Sequence, residues 1–318
     1  GLYFGAAVNP RLKSPKTPPK AKYGMNLPPE EARERFGDKE FDEIKRDYKL
    51  YDQHTQTKII YDILLEYGKV SPEFFKDHLL ELHKRVNVFK GPVYGPSTRR
   101  AVRSILAGED IYQMGRKGIT CGSAMRAPPI GMYFYNDIDA LIKNTVDSCI
   151  VSHNTDVAID AAIATNITLA SLLNRKSKFD AIEEGIKISK KYHGKFGEPT
   201  SRPKIYKKIQ RVLKLMKVVD MERAMFVIPE KIGVSWFAWE TIPAAFANYI
   251  VTGNPKDSTL LALRCGGDSQ TVPEIACAFM GAEKGPKLFD ESIIRKIEKA
   301  NNVKIYEIAE KLIDKMNI

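Results

Sequence analysis

The chain has little of what usually announces a chemistry at sight. It has four cysteines in 318 residues, Cys121, Cys149, Cys265 and Cys277. None forms a CxxC pair or a zinc-like spacing, so neither a disulfide framework nor a structural zinc site is expected. They are read as reduced thiols in an intracellular, cytoplasmic setting. No uninterrupted run of about 18 apolar residues occurs, so no transmembrane helix and no membrane partner are expected. The opening GLYFGAAV lacks the basic flank of a signal peptide. Few segments alternate with period two, which argues against a sheet-based fold. No internal repeat and no linker between two domains stands out.

What is present is apolar bulk and positive charge. Hydrophobic residues make up 43% of the chain, enough for a sizeable core, and charged residues 28%. The net charge is +11, with a pI near 9.3. A basic surface attracts nucleic acid, anionic membranes or phosphorylated ligands. Plain solvation by lysine gives the same balance and is preferred, because no nucleic-acid-binding motif accompanies the charge. Nucleic acid is therefore not the expected partner.

Apolar residues recur at helical spacing along most of the chain. TQTKIIYDILLEYG closes on Gly68, and SPEFFKDHLLELHKR opens with Ser71 as N-cap and Pro72 in the first turn. Further helices are expected over 96–106, 136–149, 156–173, 179–192, 204–218, 236–251, 258–264, 273–280, 291–299 and 303–316. The 156–173 segment carries alanine and isoleucine around most of its circumference and belongs at the centre of a bundle. A Pro/Lys-rich stretch at about 9–30 reads as an extended surface loop. The expected fold is a single all-α domain over 1–318, an orthogonal bundle of many helices with more than half its residues helical.

Four places combine glycine, an acid or amide, and a helix start. In LRCGGDSQTVPEIACAFMG, Gly266 and Gly267 precede Asp268, Ser269 and Gln270, with Thr271 as N-cap and Glu274 as its capping-box partner. Such a turn holds a cation or a phosphate, or is an ordinary capped glycine turn. Asp52, Gln53, His54, Thr55 and Gln56 form a polar helix start. In GITCGSAMRAPPIG, Arg126 sits in a small-residue loop where it holds a phosphate or carboxylate, or is simply solvated. His153 precedes the buried helix, as a cap, a packing residue or a catalyst. The basic face of 204–218, with Lys204, Lys207, Lys208, Arg211 and Lys214, is the best support for a nucleic-acid role and also what an ordinary amphipathic helix looks like.

Taken in order, these segments resemble the ADP-ribosylglycohydrolase family, which includes the activating glycohydrolase of dinitrogenase reductase. CGSAMRAPPIGMYF resembles its G-A-A-M-R-x-x-P-L-G-L-Y block, and SHNTDVAIDAA its T-H-x-x-P-x-A-x-x-A-A block. GVSWFAWETIPAAFANYI resembles G-x-G-W-x-A-x-E-A-L-x-A-A, with Glu240 at the retained acid. GGDSQTVPEIACAFMGAEKG resembles G-x-D-T-D-T-x-A-x-I-A-G-A-x-x-G-A, and GLYFGAAV the first helix. The resemblance implies an all-helical fold and an ADP-ribosyl substrate. It also implies two magnesium ions in a central cleft, held by a T-D-D triplet and the D-T-D-T segment.

The chain departs from that pattern at the metal. The triplet is matched by Asp52, Gln53 and His54, or by Gln53 and His54 alone. The second segment is matched by Asp268, Ser269, Gln270 and Thr271, and the G-D-x-x-G turn is replaced by Asn9, Pro10 and Arg11. At least three carboxylates have gone, and magnesium binds weakly without them. The D-Q-T form of the triplet resembles a subgroup related to lens crystallins. The resemblance thus implies metal contacts at Asp52, Gln53, His54, Asp268, Gln270 and Thr271 for a weak divalent ion, magnesium or manganese, rather than the full pair. It implies chemistry at Asp268 and Asp52, and ligand contacts at Gly122, Ser123, Met125, Arg126, His153 and Gly267. The expected function is hydrolysis of an ADP-ribosyl or related ribosyl bond, with an ADP-ribosylated protein as one carrier. The alternatives are an inert relative that binds a nucleotide or ADP-ribose-like ligand or serves a structural role, and, ranked third, a nucleic-acid-associated protein.

Overall fold

The structure is a computed structural model in which residues 27–90 and 94–316 are described. The GLYFGAAV opening, Asn9–Arg11 and most of the Pro/Lys-rich stretch lie outside the described residues. Of the described residues, 70% are helical. Among the described residues there is no strand, only isolated bridges such as Thr155 with Glu198.

Sixteen α-helices are described: α1 Pro29–Phe36, α2 Asp52–Tyr67, α3 Pro72–Val86, α4 Pro96–Leu106, α5 Gly122–Arg126, α6 Pro128–Tyr133, α7 Ile138–His153, α8 Asp156–Leu173, α9 Lys178–Tyr192, α10 Ile205–Met216, α11 Met221–Val227, α12 Ala238–Val251, α13 Pro255–Cys265, α14 Thr271–Lys284, α15 Glu291–Asn301 and α16 Ile305–Lys315. Each segment expected to be helical is present, with ends moved by a few residues. The end signals act as the sequence indicates: Ser71 Oγ accepts from Phe74 N at 3.2 Å, and Gly68, at φ +66°, closes α2 by donating to Leu64 O. The short helices α1, α5, α6 and α11 were not expected. At α1 the end of the proline-rich stretch is itself a helix start, because proline at the first helical position gives up a donor that has no partner there.

The helices gather into two compact units. One takes the chain up to Tyr51 and again Lys207–Ile305; the other takes Asp52–Tyr206 and Tyr306–Ile318. The divisions fall at the start of α2, inside α10 and at the start of α16, so no loop composition marks them.

In the unit that begins at Asp52, α8 is the central element. It packs against α5, α6, α7 and α9, and only Leu173 of its 18 residues is not buried. By length and hydropathy α8 would span a membrane, yet 94% of it is buried within the chain. Two neighbours reach it through glycine. A Cβ at Gly131 of α6 would lie 3.0 Å from Asn166 Oδ1, and one at Gly185 of α9 would lie 2.2 Å from Thr168 Oγ1 and 3.0 Å from Ala164 O. Ile60, Ile63, Leu64, Phe75, Leu79, Val102, Ile130, Val151 and Leu312 fill the neighbouring core.

In the other unit α12 packs on α14, and α13 packs on α1 and α14. Phe41, Cys277, Phe289, Ile293 and Ile297 form one core cluster; Leu27, Ala32, Phe36, Ile44, Leu260 and Leu263 form another.

The α8–α9 approach sets a measurable limit. Gly185→Ala is expected to cost about 1–3 kcal/mol by overpacking, read as a lower urea midpoint. Thr168→Ala in the same chain should return part of that loss. Additive effects of the two substitutions would show that this contact does not limit the packing.

Candidate functional site

The Asp52 helix start lies in the second unit. Gln53 and Gln56 are buried while Asp52 and His54 are partly exposed. Thr55 Oγ1 donates to Asp52 O at 3.1 Å and lies 3.3 Å from Tyr94 Oη. Burial, then the charge of Lys58, pulls the His54 imidazole down to about 4, so it is a neutral ring at ordinary pH.

The CGSAMR block is placed differently from expectation. Arg126 is fully buried. Its Nη1 donates to Gln56 Oε1 at 3.1 Å, and its Nη2 to Ser148 O at 2.7 Å and Ser152 Oγ at 2.8 Å; the guanidinium stands 4.3 Å from the centre of the Phe75 ring. Burial lowers its pKa to about 10, which still leaves it charged. Arg126 therefore organises the interior through these contacts. His153 is equally buried, with Nδ1 2.8 Å from Ser152 Oγ and Nε2 2.8 Å from Thr120 Oγ1, and Thr120 Oγ1 is 3.2 Å from Ser97 Oγ. One donor order satisfies every bond: Arg126 to Ser152, Ser152 to His153, His153 to Thr120, Thr120 to Ser97. Burial, then the charge of Arg126, holds His153 well below its ordinary pKa, which suits that neutral tautomer.

The other ligand candidates in this block are buried too. A Cβ at Gly122 would meet His153 Cε1 at 2.9 Å. Ser123 Oγ donates to Ala158 O at 3.1 Å, and Met125 is buried.

In the first unit, the glycine turn before α14 is tied down on two sides. Gly267, at φ +63°, donates to Leu27 O at 2.9 Å, and Asp268 N donates to Val234 O at 2.7 Å. A side chain at position 267 would run into Val234 O, so only glycine fits. The expected Thr271–Glu274 capping box is not what starts α14. Gln270 takes the N-cap position, and the Asp268 carboxylate accepts from Thr271 N at 3.1 Å. Asp268, Ser269, Gln270 and Thr271 are all buried.

The Val234 contact joins this turn to a loop of aromatics. Ser235 N donates to Glu240 Oε2 at 3.0 Å and Thr241 Oγ1 to Ser235 O at 2.5 Å, which holds the loop against the start of α12. Phe237 stacks on Trp239 with centroids 4.5 Å apart, and Trp236 is 37% exposed. Trp236 is not among the residues that the sequence marks for the site; its signal is an aromatic three residues beyond Gly233.

The chain belongs to the ADP-ribosylglycohydrolase family. The family model matches residues 12–317. The chain is 23% identical over 256 residues to the uncharacterized protein YegU of Escherichia coli K12, covering 79% of this chain and 76% of that protein. It is 26% identical over 232 residues to an uncharacterized protein of Archaeoglobus fulgidus, covering 73% and 70%. A solved structure titled an ADP-ribosylglycohydrolase-related protein complex superposes with a TM-score of 0.65 at 18% identity, covering 99% of this chain and 94% of that one, and shows the same helical fold.

As an ADP-ribosylglycohydrolase relative, the chain carries Gln53 and His54 in one unit and Gln270 in the other at positions where the resemblance implies magnesium ligands. Magnesium wants hard, anionic oxygens, which amides and a neutral imidazole do not offer. Among the described residues, no group of three His, Cys, Asp or Glu side chains is placed to hold a metal ion.

The sequence also did not show the fastening beside α8. Asp156, where the related block has proline, accepts from Thr200 Oγ1 at 2.7 Å, and Asp160 pairs with His193 at 2.5 Å. Burial raises the Asp160 carboxyl above its ordinary value, against the pull of His193.

Two outcomes follow. Arg126→Met leaves Gln56 Oε1, Ser148 O and Ser152 Oγ short of a donor, and is expected to cost about 2–4 kcal/mol in urea unfolding. A variant of native stability that loses only ligand affinity would return Arg126 to a binding role. The second concerns pH. His153 and His54 are neutral when folded, so below about pH 6.5 the unfolded chain binds protons that the folded chain refuses. Stability should fall from pH 7 toward pH 5, by about 1.4 kcal/mol per unit for each histidine so held. Asp160 acts in the opposite sense, since its raised pKa lets the folded chain bind a proton first as pH falls. His153→Gln should flatten the slope, and an unchanged slope would show that His153 is not held neutral.

Proposed function

We propose that the chain hydrolyses an ADP-ribosyl or related ribosyl glycosidic bond, using a site altered from the family's and holding at most one weak divalent cation, magnesium or manganese. The observation that carries this is the bond from Asp268 N to Val234 O. It ties the remaining acid of the D-T-D-T segment to the loop that presents Trp236. An indole face suits an adenine ring. A carboxylate beside the scissile ribose suits the positive charge that develops at its anomeric carbon. Asp268 is the group assigned to orient water or stabilise that charge. Arg126 and His153 act on this reading only through the interior of the fold.

A second reading is favoured by the amides at Gln53 and Gln270: a relative that binds the same ligand without cleaving it. Calorimetry with ADP-ribose, with and without magnesium or manganese, is set beside hydrolysis of ADP-ribosyl-arginine and ADP-ribosyl-serine. ADP-ribose should bind, Trp236→Ala should weaken binding roughly fivefold or more, and Asp268→Asn should abolish turnover in a folded protein. Metal analysis after dialysis should find fewer than two magnesium ions per chain. Binding with no turnover selects the second reading. No binding at millimolar ligand removes both.

A further inference from the structure

The surface carries one feature that the ADP-ribosyl reading does not use, a ridge of charge of a single sign. Residues 207–219 hold five lysines and arginines and no aspartate or glutamate. On α10, Ile209, Val212, Leu213 and Met216 are buried, while Lys207, Arg211 and Lys214 are exposed. These three stand at i, i+4 and i+7, on one helix face spanning about 10 Å. None of the ion pairs among the described residues includes any of them. Simple solvation by lysine does not explain this. Of the other amphipathic helices, α3, α9, α15 and α16 mix glutamate or aspartate with their lysines, and α4, which has three arginines and no acid, turns them back onto the chain: Arg99 Nε donates to Tyr94 O, Arg100 Nη1 to Lys117 O, and Arg103 stands 5.2 Å from the centre of the Phe89 ring. Mixed signs are the usual form of a merely solvated face.

The ridge is joined to an aromatic. Lys208, one residue along α10, donates from Nζ to Ile232 O at 2.7 Å. Ile232 is followed directly by the Gly233–Phe237 loop, whose Trp236 is 37% exposed. The charges of Arg211 and Glu240 both act on the Lys208 ammonium, so the ridge and the start of α12 are both near it. A row of cations on a helix that Lys208 fastens to the loop of an exposed indole has the composition of a surface for single strands, in which cations follow the backbone and a ring takes an unpaired base.

We propose that α10 and the Trp236 loop bind a single-stranded nucleic acid, with phosphates on Lys207, Arg211 and Lys214. This names the carrier of the ADP-ribosyl group as a nucleic-acid strand, with Trp236 taking the adenine of that group on a modified strand and a base on an unmodified one. It rests on the preceding section for the reaction, though not for the binding. A duplex keeps its bases stacked and offers Trp236 no face, so single strands are favoured over duplex.

The test is fluorescence anisotropy with a labelled, unmodified oligothymidylate of roughly 12 nucleotides, at rising salt, beside the same length of duplex. Three phosphate contacts predict a slope of log K against log salt of about −2. The triple variant Lys207→Glu, Arg211→Glu, Lys214→Glu should bind at least tenfold more weakly and lose most of that slope, with an unchanged circular dichroism spectrum. Trp236→Leu should weaken binding roughly fivefold or more while keeping the slope. No binding at about 50 mM salt, a triple variant that binds like the native chain, or a preference for duplex or for phosphatidylserine vesicles would each overturn the proposal. Because the strand is unmodified, such failure leaves the calorimetric result with ADP-ribose standing on its own.

Discussion

The fold depends on a helix that has no outside. With all but one residue of α8 buried, every neighbour must come close, and its polar atoms must look to protein for partners, which Asn166 Oδ1 and Thr168 Oγ1 do not find. The first demand explains the alanines of α8 and the glycines at 131 and 185 that face it. The second explains Thr165 donating to Ala161 O at 2.9 Å and Asn166 Nδ2 donating to Thr145 Oγ1 at 2.8 Å. The block that most resembles a ligand loop, CGSAMR, is part of this arrangement: α5 lies on α8, and Ser123 is bonded to its backbone. A buried guanidinium is costly unless its donors are used, and Arg126 uses two of its nitrogens to hold α2 and α7 in place.

The general fold was legible because its signals are local. Apolar spacing, Ser71 before Pro72, and Gly68 after α2 each act within a few residues of where they are written. Arg126 and His153 were not legible in that way. Whether an arginine among small residues points into solvent or into the core is decided by Gln56, Ser148, Ser152 and Phe75, which are 22 to 70 positions away or on other helices. The same holds for Asp160 with His193 and Asp156 with Thr200. Thr271 failed as a cap for a related reason: Asp268, three residues earlier, already supplied an acceptor for its N–H.

The candidate site was legible as an inventory rather than as a geometry. The sequence shows which acids are kept and which have become amides. It does not show that the backbone of Asp268 is tied to Val234, or that this brings the retained acid into the same local assembly as an exposed tryptophan.

The chain leaves and re-enters each unit, and this has a consequence for how the molecule is made. The core around α2, α3 and α7 includes Leu312 from α16, and Tyr133 Oη donates to Lys315 O at 3.2 Å. That helix is written after the whole Lys207–Ile305 segment of the other unit. On the ribosome, the unit begun at Asp52 must therefore wait, with part of its apolar interior uncovered, until roughly a hundred further residues have emerged, which at 5–20 residues per second takes about 5–20 s. Contacts so distant along the chain also form slowly in refolding from denaturant. Assembly of this molecule is thus ordered by synthesis: its first large unit to appear is among the last to close.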